Sequence, residues 1–318
     1  MSSDENPPKY ADLPTFEATG DAHAWDVWGR DDQLGAINLL TAERALAASR
    51  LVQHGRVINL NLPLNLPNPA FGSRKVYEHQ MYVRRGGRDD SLDGFYLQCS
   101  TQLDGLRHIR YREFGYFGGL EEEDVDVGKL GMENFAEHGI VGRGVLIDVE
   151  RFMQTRGTAI DPEQKFEIDG TLIEEIAGAQ RVDLQPADIL MLRTGWLAWY
   201  LSLDQEKRTR LSTGFGEGWL AMPGVDPHRE TAAWLWDHQI ALAAADNFAL
   251  EALPVDPAVG FQHRRLIPLL GIPIGEFWFL ENLAADCAAD GTYESMVVVA
   301  PLNLPGGVGS PANAYAIK

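Results

Sequence analysis

Cysteine is nearly absent: Cys99 and Cys287 are the only two in 318 residues. Two thiols without Cys-x-x-Cys spacing cannot form a disulfide framework, so they read as buried thiols of a reducing compartment. Positive charge is scarce as well. Lys and Arg number 27 against 46 Asp and Glu, a formal net charge of −19. Such a surface repels phosphate backbones and anionic lipid, and no run of Lys or Arg exceeds the pairs Arg84-Arg85 and Arg264-Arg265. Nucleic acid is not expected as a partner. Long hydrophobic runs are also missing: the stretch from Leu266 to Leu280 is broken by Pro268, Pro273 and Glu276 and is too short to span a bilayer. The polar start, with Asp4, Glu5, Pro7 and Pro8, lacks the pattern of a secretory signal. The expectation is a cytoplasmic protein without membrane contact.

Several catalytic signatures are absent too. No Gly-x-Ser-x-Gly elbow occurs, and neither a phosphate-binding P-loop nor Gly-x-Gly-x-x-Gly follows a strand-like run. No nucleotide cofactor is implied. What remains is an ordinary globular composition, 45% hydrophobic and 23% charged.

Residues 1–27 read as an N-terminal arm, with Pro7, Pro8 and Pro14 opposing a helix at its start, and 28–318 as one mixed α/β domain. Thr41 can cap a helix reaching towards His54, which Gly55 stops. Strand signals follow at Arg56–Leu64, Val76–Val83 and Gly94–Thr101. From Gly142 onward the pattern changes to near-continuous apolar strands at Gly144–Val149, Asp188–Leu192, Ile240–Ala245 and Met296–Ala300, with helical stretches at Leu172–Ala179 and Glu230–His238. Runs of this kind suit strands covered on both faces.

The densest polar cluster in strand-like sequence is Gln98-Cys99-Ser100-Thr101-Gln102-Leu103-Asp104-Gly105-Leu106-Arg107-His108. In an extended chain Gln98, Ser100, Gln102, Asp104 and His108 project to one side, which lines either solvent or a cavity. A carboxylate near an imidazole tunes it for acid–base work, and Asp104 stands four residues before His108. Late in the chain, His263 and Glu276 interrupt apolar surroundings. A carboxylate such as Glu276 is costly to bury unless it is paired, hydrogen-bonded or metal-bound. Three further residues have competing explanations. Asp246 follows a buried-type strand, where a ligand or a helix cap is equally expected. Arg193 suits an anionic substrate group or an ion pair, and Trp196 suits a pocket wall or the core.

Here the sequence resembles the cyclase/kynurenine formamidase superfamily, which includes isatin hydrolase-like members and has the signature His-x-Gly-Thr-His-x-Asp-x-Pro-x-His. Asp32–Asn38, His138–Asp148, Leu192–Trp196 and Gly309–Asn313 extend the likeness over most of the chain. Thr101, Asp104 and His108 match the signature, and His263 and Glu276 match the family's late pair. Gln98 and Gln102 stand at the two metal-binding His positions, Ser100 replaces Gly, and Leu106 replaces Pro.

The resemblance implies a swivelling β/β/α fold, homo-oligomers and a small-molecule hydrolase acting on a lactam, lactone or N-acyl bond. Asp104, His108, His263 and Glu276 are the expected catalytic set, with Gln98, Gln102, Ser100, Asp246, Arg193 and Trp196 as the substrate-binding set. In the family the site holds zinc or manganese; here two Gln amides replace imidazole ligands, so no cofactor is assigned. One divalent ion on Asp104, His108, His263 and Glu276 is the lesser alternative. A metal-independent cyclase or lyase in secondary metabolism, or a binding homologue without catalysis, is the other reading.

Overall fold

The computed structural model describes residues 7–318. Its strands are β1 (Val57–Asn59), β2 (Glu78–Arg84), β3 (Gly87–Asp93), β4 (Gln102–Asp104), β5 (Ile140–Asp148), β6 (Phe166–Ile168) and β7 (Ile189–Arg193). They continue with β8 (Pro223–Val225), β9 (Leu242–Ala245), β10 (Ile274–Glu276), β11 (Glu294–Val299), β12 (Gly309–Pro311) and β13 (Ala314–Ile317). The helices are α1 (Ala42–Ser49), α2 (Glu122–Asp126), α3 (Met132–His138), α4 (Val149–Thr155), α5 (Gly170–Gln180), α6 (Trp196–Ser202), α7 (Gln205–Glu217), α8 (Arg229–Asp237), α9 (Gln262–Leu266) and α10 (Glu281–Asp290).

Nine strands form one mixed sheet in the order β1-β13-β11-β5-β7-β9-β10-β4-β12. Strands β5, β7, β9 and β10 run parallel to their neighbours, and β11 and β4 flank them antiparallel. The mixed α/β class expected from the sequence is what the chain adopts. Val145, Leu146, Ile147, Leu190, Met191 and Leu192 are buried completely, because helices cover this central part of the sheet. Each such side chain contributes about 1.5–3 kcal/mol of burial energy.

Local signals explain several boundaries. The Thr41 hydroxyl accepts from the Arg44 amide at 3.4 Å and so caps α1, which ends at Ser49, five residues short of His54. Residues 94–101, expected to be a strand, form turns and bends instead, and the expected strand from Gln98 through His108 is reduced to the three residues of β4. Among the described residues no strand pairs with the chain between β3 and β4 to complete a ladder there. The described part of the N-terminal arm lies against its own chain: the Tyr10 amide donates to Asp237, and Trp236 Nε1 donates to the Pro8 carbonyl. No helix among the described residues is long and apolar enough to cross a membrane.

Candidate active site

Strand β4 lies between β10 and β12, and its register places Gln102 directly opposite Glu276 and Asp104 opposite Ile274. Directly paired residues on one face have closely spaced side chains, so a short ladder joins residues far apart in sequence. The Thr101 hydroxyl donates to the Phe277 carbonyl at 2.5 Å and accepts from the Leu62 amide at 2.9 Å. Trp278 Nε1 donates to the Gln102 carbonyl at 3.1 Å. Gly275 permits that approach, since a Cβ there would overlap the Trp278 indole.

His263 comes from α9, whose flanks are tied down. Gln262 Nε2 donates to the Asp226 and His228 carbonyls at 2.7 and 2.9 Å, and Arg265 donates to Asp21 at 3.0 Å. The Phe261 ring lies parallel to the His263 ring, with centroids 4.7 Å apart.

Six residues singled out in the sequence, Gln98, Gln102, Asp104, His108, His263 and Glu276, meet here, joined by one the sequence reading missed. Glu251 is fully buried, and its Oε1 lies 2.8 Å from His263 Nδ1. On the other side of the ring, His263 Nε2 lies 3.0 Å from Glu276 Oε1. Glu276 Oε2 in turn accepts from the Gln102 amide. Gln98 Nε2 donates to both Asp104 Oδ1 and His108 Nδ1, the latter at 2.9 Å. Asp104 Oδ2 is buried without a hydrogen-bond partner, 3.8 Å from His108 Nε2 and 4.0 Å from His263 Nε2. Gln98 and His108 are half-buried and the other five are buried, so the cluster opens to solvent on the Gln98 and His108 side.

The protonation pattern follows from these contacts. Burial alone would lower the His263 pKa, but Glu251 and Glu276 outweigh it and hold the ring well above its ordinary value, as an imidazolium donating in both directions. Burial pushes Glu276 up to about 7, with the nearby Asp104 charge acting in the same direction and the His263 bond opposing both. Burial likewise raises Glu251, against the pull of His263. Burial lowers His108, against the attraction of Asp104. A neutral His108 that accepts at Nδ1 carries its proton on Nε2, facing Asp104. Arg74, half-buried and without an ion-pair partner among the described residues, adds positive charge that lowers both His108 and Glu276.

The zinc or manganese site implied by the family signature can be tested on this donor set. Asp104, His108 and His263 each offer a ligand atom within 4.8 Å of the others. A metal-bound imidazole, however, donates its second N–H to an acceptor. His108 instead faces an amide donor at Nδ1. That amide cannot be turned round, because its nitrogen also faces the Asp104 carboxylate. His263 has a carboxylate at each nitrogen, and the Gln102 amide donates to Glu276. Where the signature has two imidazole lone pairs, this chain presents two proton donors. The residues do not fit a nitrogen-ligated zinc centre, and Glu276 serves as a hydrogen-bond partner of His263 and Gln102.

The remaining expected substrate-binding residues have other tasks. The Arg193 guanidinium is held by Asp148, Glu150 and Glu281, which leaves it no role as a receptor for an anionic substrate. Asp246 accepts from the Thr194 and Gly195 amides at 2.8 Å and from the Thr194 hydroxyl at 2.7 Å, capping the turn into α6. Burial raises its carboxyl to about 6. Trp196 is fully buried in an aromatic cluster with Tyr200, Phe71 and Phe277. The Ser100 hydroxyl is directed at the Pro63 carbonyl. Gln98 and Gln102 spend their amide protons on Asp104, His108 and Glu276, while Gln102 Oε1 is buried without a hydrogen-bond partner. Glu251 had a signal of its own, since Ala249-Leu250-Glu251-Ala252-Leu253 sets a carboxylate amid apolar residues just as the Glu276 segment does. Gly224 clears space for it: a Cβ there would overlap the Glu251 backbone.

A family model described as putative cyclase matches residues 44–252. A solved structure described as a novel cyclase is 36% identical, covers 93% of this chain and 99% of its own, and superposes with a TM-score of 0.81. Isatin hydrolase A from Labrenzia aggregata, bound to benzyl benzoate, is 17% identical over 87% of this chain and 98% of its own, with a TM-score of 0.57. Isatin hydrolase A from Ralstonia solanacearum is 16% identical, with the same coverage and TM-score. No curated protein matches the sequence. The family match and the 36% identical structure together show that the chain belongs to the putative cyclase family.

Proposed function

We propose that this chain is a small-molecule hydrolase that opens an amide or ester bond, such as that of a lactam, lactone or N-acyl group, by acid–base chemistry of Asp104 and His108. One observation carries the reading: the buried, unpartnered Asp104 Oδ2 lies within 4.0 Å of two imidazole nitrogens that carry protons. A water molecule and a substrate carbonyl brought to that point meet a base, the His108 N–H and the positive charge of the His263 imidazolium together.

In this reading Asp104 Oδ2 takes a proton from water as the water oxygen bonds to the carbonyl carbon. The His263 imidazolium, clamped by Glu251 and Glu276, stabilises the negative charge that develops on the carbonyl oxygen. When the C–N or C–O bond breaks, the proton held on Asp104 passes to the leaving atom, while His108 Nε2, 3.8 Å away, keeps its proton and faces the carboxylate as it reforms. Water is consumed, a carboxylic acid is released, and both residues return to their starting states. The acid ionises near Arg74, whose charge is free to meet it. Gln98 fixes the proton of His108 on the nitrogen that faces Asp104.

The relatives named as isatin hydrolases support the reaction class, and the seven-residue constellation supports the roles. The test is turnover of a panel containing isatin, N-formylkynurenine and simple lactones by the wild type and by Asp104→Asn. Hydrolysis of at least one class, reduced by about 10²–10⁴-fold in the variant, is expected. Equal turnover by both proteins would remove Asp104 from the reaction, and no turnover across the panel would favour a binding role.

A further inference from the structure

The receptor that the sequence places at Arg193 for an anionic substrate group is not available there, because that guanidinium is held by three carboxylates. A different arginine lies beside the site. Arg74 belongs to the segment 71–75, and both ends of that segment are fixed against neighbours of site residues. At one end the Phe71 ring packs on Phe277, next to Glu276, with centroids 5.9 Å apart. At the other, Cys99 Sγ, next to Gln98, lies 3.8 Å from the Lys75 carbonyl. The segment therefore leads from the Glu276 side of the cluster to its opening at Gln98, with Arg74 one residue from the second contact. The positive charge of Arg74 acts on Cys99, His108 and Glu276 alike, so the guanidinium is within electrostatic reach of all three.

Arg74 is half-buried, and it has neither an ion-pair nor a hydrogen-bond partner among the described residues. Partial desolvation of a guanidinium is unfavourable unless an anion meets it. The other arginines near the site are engaged or face elsewhere. Arg107 donates to the Gly306 carbonyl at 2.9 Å, Arg110 pairs with Glu121 and Glu122, and Arg265 pairs with Asp21. Arg264 is exposed and lines, with Arg112, a separate cleft to which none of the seven site residues contributes. The cluster itself sets three carboxyl groups, on Asp104, Glu251 and Glu276, against one imidazolium, so an entering anion is repelled unless a cation receives it. Arg74 supplies a single charge, which suits a monoanion. A phosphate dianion would keep one charge uncompensated beside those carboxyl groups.

We infer that Arg74 is the specificity residue of this site, and that the substrate is an amide or ester bearing a carboxylate of its own, such as an N-acyl amino acid. This rests on the hydrolase reading above for the bond that breaks, but not for the anion that binds. The planar guanidinium forks onto a carboxylate through two parallel N–H···O bonds, which fixes orientation as well as charge. Hydrolysis then sets a second carboxylate near the same cation, and repulsion between the two favours product release.

The test is calorimetric titration of benzoate, and of its uncharged isostere benzamide, into the wild type, Arg74→Gln, Arg74→Lys and Lys75→Gln. The wild type is expected to bind benzoate about 10–100-fold more tightly, the range of a charge-assisted hydrogen-bonded pair. Arg74→Gln should abolish that preference and Arg74→Lys should keep only part of it. Lys75→Gln, which alters the exposed neighbour, should keep it whole. Kinetics on 3-acetoxybenzoate and phenyl acetate, one ester with and without the carboxylate, give the second readout. The ratio of their kcat/KM values should fall by the same factor in Arg74→Gln, through KM. Each ratio is taken on one protein, so a misfolded fraction cancels. A wild type without a preference for benzoate, or a preference that survives Arg74→Gln, would overturn the inference while any measured hydrolysis stands. An Arg74-dependent preference in a protein that hydrolyses neither ester nor amide would instead remove the hydrolase reading and keep Arg74 as an anion receptor.

Discussion

Glu251→Gln changes one atom's chemistry at the centre of the site and so tests how His263 is held. The amide oxygen can still accept from His263 Nδ1, but the charge that outweighs burial in keeping the ring protonated is gone. Breaking one partner of a buried ion pair costs about 3–5 kcal/mol, and the retained hydrogen bond brings the expected loss to about 3 kcal/mol. With a urea slope of about 3 kcal/mol/M, the unfolding midpoint falls by about 1 M. The pH dependence has a definite sign. The folded-state pKa of His263 lies well above 6.5, so its stabilisation is complete below the unfolded value and is lost as pH rises through the folded value. In the variant the folded pKa is lower, and the loss moves to lower pH. Urea midpoints read by tryptophan fluorescence from about pH 6 to about pH 9 resolve both effects across the histidine range. A variant that tracks the wild type at every pH would show that no charged Glu251 faces an imidazolium, and the proton assignment of the whole cluster would fall with it.

Three other outcomes follow from the same contacts. Gln98→His combined with Gln102→His replaces two proton donors by lone pairs, and calorimetric titration should show stoichiometric zinc binding at least about a thousandfold tighter than to the wild type. Arg193→Met leaves Asp148, Glu150 and Glu281 without their shared cation. It should cost about 3–5 kcal/mol in urea unfolding while leaving KM of the folded enzyme unaltered. Burial raises Asp188 from 3.8 to about 6, opposed by Arg143, so the native state binds its proton more tightly than the unfolded chain. Its contribution to stability therefore declines as pH rises between those two values, and Arg143→Met should extend the decline to higher pH.

The sequence exposes the parts of the fold that depend on local chemistry. The apolar runs at β5, β7 and β9 are legible because strands covered on both faces admit little else, and α1 is legible through Thr41. Strand β3 is not, since Gly87–Asp93 is polar apart from Leu92 and pairs only because Glu78–Arg84 folds back on it. The site is legible as a list but not as a network. Asp104, His108, His263 and Glu276 stand out by type and surroundings. That Gln98 and Gln102 donate protons depends on the antiparallel register of β4 against β10 and on the turn before it, which no spacing in the sequence specifies. Arg193, Asp246 and Trp196 mislead for a related reason: charged and aromatic side chains at strand ends serve packing and capping as readily as ligands, and only their partners distinguish the cases.

Hydrolysis by exhaustively chelated protein, with metal content measured on the same sample, addresses the central claim most directly. In the proposed mechanism the Gln98 amide pins the proton of His108 and Asp104 is the base. On that basis kcat/KM should match that of untreated protein when no zinc or manganese remains, and added zinc should not raise it. Loss of turnover on chelation, with recovery on adding one equivalent of zinc, would contradict the account.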